Sequence, residues 1–294
     1  MKTVKVLYNN NKLCNEITTE ANYAGEISDF SLRMVFQGKE EYHVRQRKLN
    51  VFPGNFLFLD SGTAYEKNIY SDIPVNSFSV LYTSKFIADF ERGLDGSDLE
   101  LLDYPGPFNE ISRLPLIESL YPYKGDLRYN IHHLIAHFYN NSDDLLIDNY
   151  LYHSLFLFYQ LCRSEVYGRV IRLQETNLST RNELLRRVLI AKDYMLSNYN
   201  QPINIEEISR EACLSATHLY RTFKRLYDCS PHQYLVQARL DNARNLLKNT
   251  FYPLNEIVSM IGFTCPTSFI KLFRRHYGTT PSAYRDGFRT RMSA

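Results

Sequence analysis

Two groups of side chains in the C-terminal third of the chain have the spacing of a single helix face. The first group is Thr217, Tyr220, Arg221, Lys224 and Arg225. The second group is Thr267, Ile270, Lys271, Arg274 and Arg275. Hydroxyl, Arg and Lys groups on a helix can hydrogen-bond base edges in a DNA major groove, and cations at its far end can pair with phosphates. These residues therefore predict binding to a double-stranded polyanion, with an affinity that falls as salt rises.

The two groups belong to an internal repeat. A shift of 50 residues aligns Phe223 with Phe273, Tyr227 with Tyr277, Pro231 with Pro281 and Tyr234 with Tyr284. Upstream the register slips by one residue, so that Ile208 aligns with Ile257. A solvated basic face would explain either helix alone, but duplication of the same face favours a binding function.

Capping residues divide each copy into a helix, a tight turn and a second helix. In the first copy, Asn204 and Glu207 form a capping box, and Ser215 caps a helix that runs from Ala216 to about Tyr227. In the second copy, Gly262 suits the left-handed residue that ends a helix, and Pro266 suits the first turn of the next one. Both copies are therefore predicted to be helix-turn-helix motifs.

A further helix, from Pro231 to about Asn249, is predicted between the two copies. At about 1.5 Å per residue it spans roughly 25 Å. We expect it to hold the two recognition helices about one duplex turn, or ~34 Å, apart. One chain would then contact two successive major grooves.

The net charge of +2 conceals an uneven distribution of charge along the 294 residues. Residues 186–294 carry 16 Lys and Arg against 8 Asp and Glu, whereas residues 1–185 carry 18 against 24. The C-terminal part is therefore +8 and the front part −6. This asymmetry predicts a polyanionic partner for one of two domains.

The front part changes from strand-like to helix-like patterns. Short runs of β-branched and aromatic residues over about residues 1–110 predict a small barrel or sandwich. Helical periodicity begins at about Ile111, and residues 127–138 carry an amphipathic stripe. Residues 145–161 are apolar nearly all round, so this helix is either central to the domain or half of a dimer interface.

The chain is predicted to contain a front domain, 1–173 (β part about 1–110, helical part about 111–173), a polar linker, 174–182, and a second domain, 183–294. No apolar stretch is long enough to span a membrane, and the first residues lack the apolar core of a secretory signal. We therefore expect a cytoplasmic protein with no membrane partner. Five scattered cysteines argue against a zinc knuckle or a disulfide framework.

Six short motifs follow one another in the C-terminal region: Leu214-Ser215-x-x-His218-Leu219-x-Arg221-x-Phe223, Gly262-Phe263, Ser268-Phe269, Phe273-Arg274, Gly278-x-Thr280-Pro281 and Tyr284-Arg285. In order and spacing, this region of about residues 185–287 resembles the DNA-binding domain of AraC/XylS-type transcription regulators. The front part, with Tyr42-x-Val44 and Pro53-Gly54, is similar to the cupin-like sensory domain of that family. The resemblance implies an α+β protein: a cupin-like β-barrel with following helices, then an all-α domain of two helix-turn-helix motifs joined by a linker helix.

The resemblance also implies residue roles and partners. The family's base-contacting positions fall on Ala216, Thr217, Tyr220, Arg221, Pro266, Thr267, Ile270 and Lys271. Cys265 replaces the Asp that often caps the second recognition helix, which implies a helix start that is less firmly held. The implied protein is a transcription regulator, more often an activator, that binds double-stranded DNA, contacts RNA polymerase, forms a homodimer and senses a small-molecule effector. Candidates for the effector pocket, with core packing as their alternative, are Tyr42, His43, Phe56, Phe58 and Tyr65.

Two rival functions remain open from the sequence. The front domain could bind another protein instead of a metabolite. A cupin-type enzyme would need a metal triad, but only His43 lies in the strand region. His133 and His137 are one helical turn apart, and a solvated helix face explains them more simply than a metal site. We therefore predict no catalytic residue, no cofactor and no metal site.

Overall fold

The computed structural model describes residues 1–95, 116–170, 172–173 and 177–292. These residues form two compact units, Met1–Arg186 and Arg187–Ala294. The α+β class predicted from the sequence is confirmed, because the first unit is built on a sheet and the second on helices. The predicted start of helical structure near Ile111 and residues 174–176 of the predicted linker lie outside the described residues.

In the described part of the chain, the sheet of the first unit has eight strands. They are β1 (Lys2–Val6), β2 (Lys12–Ile27), β3 (Phe30–Gln37), β4 (Glu40–Val44), β5 (Arg47–Val51), β6 (Asn55–Leu59), β7 (Ala64–Tyr82) and β8 (Leu120–Pro122). The strand order is β1-β2-β7-β3-β6-β8, and β4 pairs with both β5 and β7. All of these pairs are antiparallel. The long strands β2 and β7 pair with each other; β1 pairs with β2, and β3 and β4 pair with β7.

The two faces of this sheet have different chemistry. One face joins the helices in a cluster of buried apolar residues that includes Phe30, Leu32, Met34, Phe56, Phe58, Phe78, Phe138 and Phe158. Since successive side chains of a strand alternate between faces, Ser31 and Arg33 lie on the opposite face of β3, where both are also buried. The sheet therefore has an apolar face under the helices and a second face that buries polar groups.

Three helices of the first unit cover the apolar face: α1 (Ser84–Asp95), α2 (Gly125–Tyr139) and α3 (Asp144–Cys162). A π-helical segment, Arg163–Tyr167, and the short α4 (Gly168–Val170) follow α3. The sequence prediction extended β structure to about residue 110 and missed α1. This helix forms because Phe90 and Leu94, one turn apart, are both buried in the apolar cluster. Helix α3 buries Ile147, Leu151 and Phe158 in the same cluster, which accounts for much of its apolar character.

The second unit contains the helices α6 (Ile205–Glu211), α7 (Ala216–Tyr227), α8 (Pro231–Asn249), α9 (Leu254–Met260), α10 (Pro266–Tyr277) and α11 (Pro281–Met292). Helix α5 (Leu178–Ser197) precedes them and begins before the boundary of the unit. Residues 178–182, predicted as part of the linker, are helical. The Asn177 side chain accepts a hydrogen bond from the Ser179 amide at 2.9 Å, so it caps a helix start that the sequence prediction overlooked.

Two further properties concern the described residues of both units. No described helix is both long enough and apolar enough to cross a membrane. No cysteine of the described residues forms a disulfide; Cys162 is buried, and Cys213 and Cys265 are exposed.

Candidate nucleic-acid interface

Local hydrogen bonds build the first helix-turn-helix as the sequence predicts. The Asn204 side chain accepts from the Glu207 amide at 2.9 Å, and the Glu207 carboxylate accepts from the Asn204 amide at 3.3 Å, which completes the capping box. Ser215 caps α7 by accepting from the His218 amide at 3.3 Å. Between the helices, Cys213 has a left-handed φ of 51°. These caps fix where α7 begins and therefore which of its side chains face outward.

The second copy uses the same turn with a glycine in it. Gly262 has a φ of 75°, and its position corresponds to Cys213 of the first copy. The Phe263 amide donates to the Val258 carbonyl at 3.1 Å, which satisfies the end of α9. A Cβ at Gly262 would lie 2.8 Å from the Tyr199 carbonyl oxygen, so only glycine fits against that backbone. The close approach sets the position of α10 relative to the start of the unit.

The start of α10 differs from that of α7. Pro266 occupies the first turn, where its missing amide costs no hydrogen bond, and Cys265 provides no side-chain cap to the helix. The weaker cap implied by the replacement of Asp by Cys265 agrees with this geometry. Proline, rather than a capping side chain, defines the beginning of the second recognition helix.

Each recognition helix is supported by a cluster of three aromatic rings. In the first copy the ring centroids of Phe223, Tyr227 and Tyr234 lie 4.5–5.4 Å apart. The repeat-related cluster of Phe273, Tyr277 and Tyr284 has centroid separations of 4.6–6.3 Å. The sequence repeat therefore includes the aromatic residues that support each recognition helix as well as the exposed face of that helix.

Most of the side chains predicted to contact DNA are exposed. The exposed ones are Thr217, Tyr220, Arg221, Lys224, Arg225, Pro266, Thr267, Lys271, Arg274 and Arg275. Ala216 and Ile270 are half-buried. The opposite faces carry the buried Leu219, Phe223 and Leu226 in α7, and Phe269 and Phe273 in α10. Each helix therefore presents a polar, basic surface while its other side anchors it.

The electrostatics of these surfaces favour an anionic partner. Neither α7 nor α10 contains an acidic residue. In the ranges that the structure covers, no carboxylate forms an ion pair with Arg221, Lys224, Lys271 or Arg274. Their positive charges are therefore available to phosphates.

Helix α8 connects the two motifs through contacts that the sequence did not predict. The Arg239 guanidinium donates to the carbonyl oxygens of Tyr199 at 2.7 Å and Gln201 at 2.8 Å, and it lies 5.7 Å from the Phe263 ring centroid. On the same helix, the Asp241 carboxylate accepts from the Tyr277 hydroxyl at 2.8 Å. The middle of α8 is thus bonded to the residues just before α6 and to α10, and it also contacts the turn before α10.

Comparison with known proteins identifies this arrangement. The family described as "Helix-turn-helix domain" matches residues 208–287, a range that begins within α6 and extends through the second motif. Residues 208–287 form an AraC-type helix-turn-helix domain. The lactose operon transcription activator of Staphylococcus xylosus is 32% identical over 149 residues, which are 51% of this chain and 50% of that protein. The probable transcriptional regulator LumQ of Photobacterium leiognathi is 35% identical over 103 residues, 35% of this chain and 41% of that protein.

Among solved structures, the helix-turn-helix domain is similar to the DNA-binding domain of AdpA, a global transcriptional factor, in complex with a target DNA. The identity is 28% and the TM-score 0.35, and the match covers 36% of this chain and 95% of that chain. The chain spans about half the length, or less, of the two relatives named above.

Outside the helix-turn-helix domain, the five candidates for an effector pocket are divided between different surroundings. Phe56 and Phe58 lie in the apolar cluster beneath the helices, with ring centroids 6.1 and 4.8 Å from that of Phe158. The half-buried His43 pairs with Glu41 at 3.0 Å. Tyr42 and Tyr65 instead flank the guanidinium of Arg33, at 5.7 and 4.3 Å from their ring centroids. Only these two of the five candidates therefore adjoin the buried polar groups.

The sequence prediction missed the charges of this polar face. Lys67 is buried and donates to Glu16 Oε2 at 2.6 Å and Glu40 Oε1 at 2.9 Å. Although burial alone would lower the pKa of Lys67, the neighbouring Tyr42 and the two carboxylates raise it well above its ordinary value. Arg33 stands in β3 between apolar neighbours. The sequence contained one indication of this polar face, namely a charged residue inside a strand that is buried on both faces.

The histidines that were weighed as metal ligands are packed against tyrosines. His133 and His137 are half-buried rather than solvated, and their ring centroids lie 6.2 and 5.0 Å from that of Tyr150. His137 is also hydrogen-bonded to the Ser142 hydroxyl at 3.0 Å. Across the described ranges, no group of three or more His, Cys, Asp or Glu residues is arranged to hold a metal ion.

Proposed function

We propose that the protein is a sequence-specific transcription regulator that binds double-stranded DNA through α7 and α10. The observation that carries this proposal is the duplicated, exposed basic face without acidic residues, each copy held by its own aromatic cluster. Thr217, Tyr220, Arg221, Thr267 and Lys271 would contact base edges, because they lie in the N-terminal halves of the two helices. Lys224, Arg225, Arg274 and Arg275 would contact phosphates.

We propose further that residues 1–173 act as a sensory and dimerisation domain and residues 183–294 as the DNA-binding domain. The name of the lactose operon transcription activator supports action as an activator. Control by a small-molecule effector and contact with RNA polymerase are further parts of the proposal. Control by a protein partner is the alternative. A filled interior on the polar face of the sheet would favour that alternative, and a cavity would favour a metabolite.

A homodimer through α2 and α3 is part of the proposal. Large apolar side chains on these helices are exposed: Tyr129, Tyr139, Leu145, Leu146 and Tyr152. If these side chains form one contiguous patch, that patch would favour an interface between two copies of the chain. Sedimentation of the intact chain as a monomer at micromolar concentration would remove dimerisation from the proposal.

The test of DNA recognition begins with selection of binding sites from random duplex DNA. We expect two conserved half-sites about one helical turn apart, since one chain carries two recognition helices. Arg221→Ala and Lys271→Ala should each weaken binding to the selected duplex by about tenfold or more and relax preference at one position. Arg92→Ala, which removes an exposed cation from the first unit, is the matched control and should bind normally.

Two results would contradict the proposal. One is unchanged affinity and unchanged base preference in both variants, measured by mobility shift at several salt concentrations. The other is failure of the selection to enrich any sequence.

A further inference from the structure

Arg33 is a buried cation with no carboxylate of the described chain in direct contact. Its exposed fraction is 5%, and no carboxylate among the described residues lies within ion-pair distance of its guanidinium. Its hydrogen-bond partners are the Ser31 hydroxyl, 3.1 Å from Nε, and the Ser28 hydroxyl, 3.4 Å from Nη2. The remaining neighbours are the rings of Tyr42 and Tyr65. Since a buried charge is costly unless it is paired, an anion that reached the guanidinium would be stabilised by direct contact with it.

The acidic residues on the same face are engaged by another cation. Glu16 and Glu40 both accept hydrogen bonds from Lys67. Glu40 also accepts from the Tyr42 hydroxyl at 2.8 Å, and Glu16 accepts from the Tyr23 hydroxyl at 2.5 Å. The two carboxylates are therefore bonded to Lys67 and the tyrosines, and neither lies within ion-pair distance of Arg33.

The strand register places Arg33 at the inner end of a row of four side chains that begins at the edge of the sheet. Val4 pairs with Cys14, Cys14 with Ser79, and Ser79 with Arg33, across four neighbouring strands. Residues directly opposite in antiparallel strands lie on the same face, so these four side chains form one row. Exposure decreases along it: Val4 is exposed, Cys14 and Ser79 are half-buried, and Arg33 is buried. The row leads from the edge of the sheet to the guanidinium.

We propose that Arg33 is the recognition group of a binding site for a small organic anion, in which a carboxylate or phosphate pairs with the guanidinium. The planar fork of arginine matches both oxyanions with two parallel hydrogen bonds. Tyr42 and Tyr65 beside it offer aromatic surface to the body of the ligand. This inference rests on the proposed sensory role of residues 1–173, and the anion would be the effector.

The binding test uses two anionic probes and a neutral one with the intact chain. Benzoate carries a carboxylate, phenyl phosphate carries a phosphate, and benzamide has the shape of benzoate without its charge. Calorimetric titration should detect binding of at least one anion and none of benzamide. Arg33→Gln should weaken that binding by about tenfold or more, and Arg33→Lys should weaken it less, because lysine keeps the charge and loses the fork. The stronger probe identifies the preferred oxyanion.

Two controls keep the result interpretable. Arg92→Gln removes an exposed cation from the same unit and should bind the anion as the unaltered chain does. If Arg33→Gln fails to fold, the ¹⁵N shifts of the Arg33 guanidinium in the unaltered chain, with and without benzoate, report the same contact. Equal binding of benzoate and benzamide, anion binding that survives in Arg33→Gln, or no binding of either anion would overturn the proposal.

A parallel mobility-shift assay separates this site from the proposed DNA function. Arg33→Gln should still bind the selected duplex in the absence of any anion, because Arg33 lies outside the helix-turn-helix domain. A chain that binds the anions but enriches no duplex would retain the anion site and refute DNA recognition. A chain that binds the duplex but neither anion would retain DNA recognition and refute the anion site.

Discussion

Gly262 and Cys213 occupy the same position in the two repeated turns but tolerate substitution differently. Both have left-handed backbone conformations, yet only at Gly262 would a Cβ meet the Tyr199 carbonyl. We predict that Gly262→Ala destabilises the second unit by roughly 2 kcal/mol or more, from strain and overpacking together. Cys213→Ala, the matched control, already has its Cβ accommodated at an exposed position and should change stability by less than about 0.5 kcal/mol.

Native-state hydrogen exchange of the α9 and α10 amides measures this difference directly, because it reports local opening within a two-unit chain. Equal protection in the two variants would show that the close approach at Gly262 does not constrain the fold.

Glu16 gives the first unit a predictable response to acid. Burial tends to raise its pKa, but hydrogen bonds from Lys67 and Tyr23 outweigh burial and hold the pKa below the ordinary 4.5. Because the folded pKa is the lower one, ionised Glu16 stabilises the folded state above the unfolded value. That contribution is lost as the pH falls from about 4.5 through the folded pKa.

We therefore predict that Glu16→Gln lowers stability at neutral pH by roughly 2 kcal/mol and loses less of its remaining stability on acidification. Urea unfolding of both chains at pH values above and below the glutamate range measures the change. A parallel loss of stability with acid in the two chains would mean that Glu16 is not the titrating group. Glu20→Gln, at an exposed position on the same strand, serves as the control.

At the scale of elements, Arg239 of α8 is bonded to two main-chain carbonyl oxygens just before α6 and contacts the Phe263 ring in the turn before α10. We predict that Arg239→Met lowers affinity for a duplex carrying both half-sites by about tenfold, because the motifs lose their fixed separation. Affinity for a single half-site should change little. Lys248→Met, which removes an exposed cation from the same helix, is the control. Mobility shifts on one-site and two-site duplexes provide the measurement, and equal losses on both would contradict a positioning role.

The sequence predicted those elements whose boundaries are set locally. Asn204, Glu207, Ser215 and Gly262 end or begin helices through contacts within a few residues, so pattern and capping were sufficient. The lengths of β2 and β7 depend instead on pairing between residues that are distant in sequence, such as Glu16 with Ser77, 61 positions apart. Their polar residues also break the alternation on which strand prediction depends.

The same distinction applies to the candidate sites. The exposed basic faces of α7 and α10 follow from helical periodicity, and the structure exposes ten of the twelve predicted residues. The polar surroundings of Arg33 and the bonds of Arg239 join distant segments, so no local pattern indicates them. Phe56 and Phe58 were included as pocket candidates because composition cannot tell which face of a strand meets the helices.

At the scale of the whole molecule, the separation of charge predicts how DNA binding depends on salt. Residues 186–294 carry the excess of positive charge, and the front part is acidic. If Lys224 and Arg274 each contact one phosphate, changing either to Ala should reduce the slope of log affinity against log salt by about 1. Arg92→Ala should leave the slope unchanged, since that cation lies in the acidic first unit. Identical slopes for all four chains would show that these two cations do not meet phosphates.

The two sides of the Arg239 contact differ in how well they tolerate substitution. Its two acceptors are main-chain carbonyl oxygens, which every amino acid possesses. Replacement of the exposed Gln201 therefore preserves the acceptor, whereas loss of the guanidinium at position 239 removes both bonds together. Position 201 can therefore change without loss of this contact, whereas the contact of α8 with the turn before α6 requires arginine at position 239.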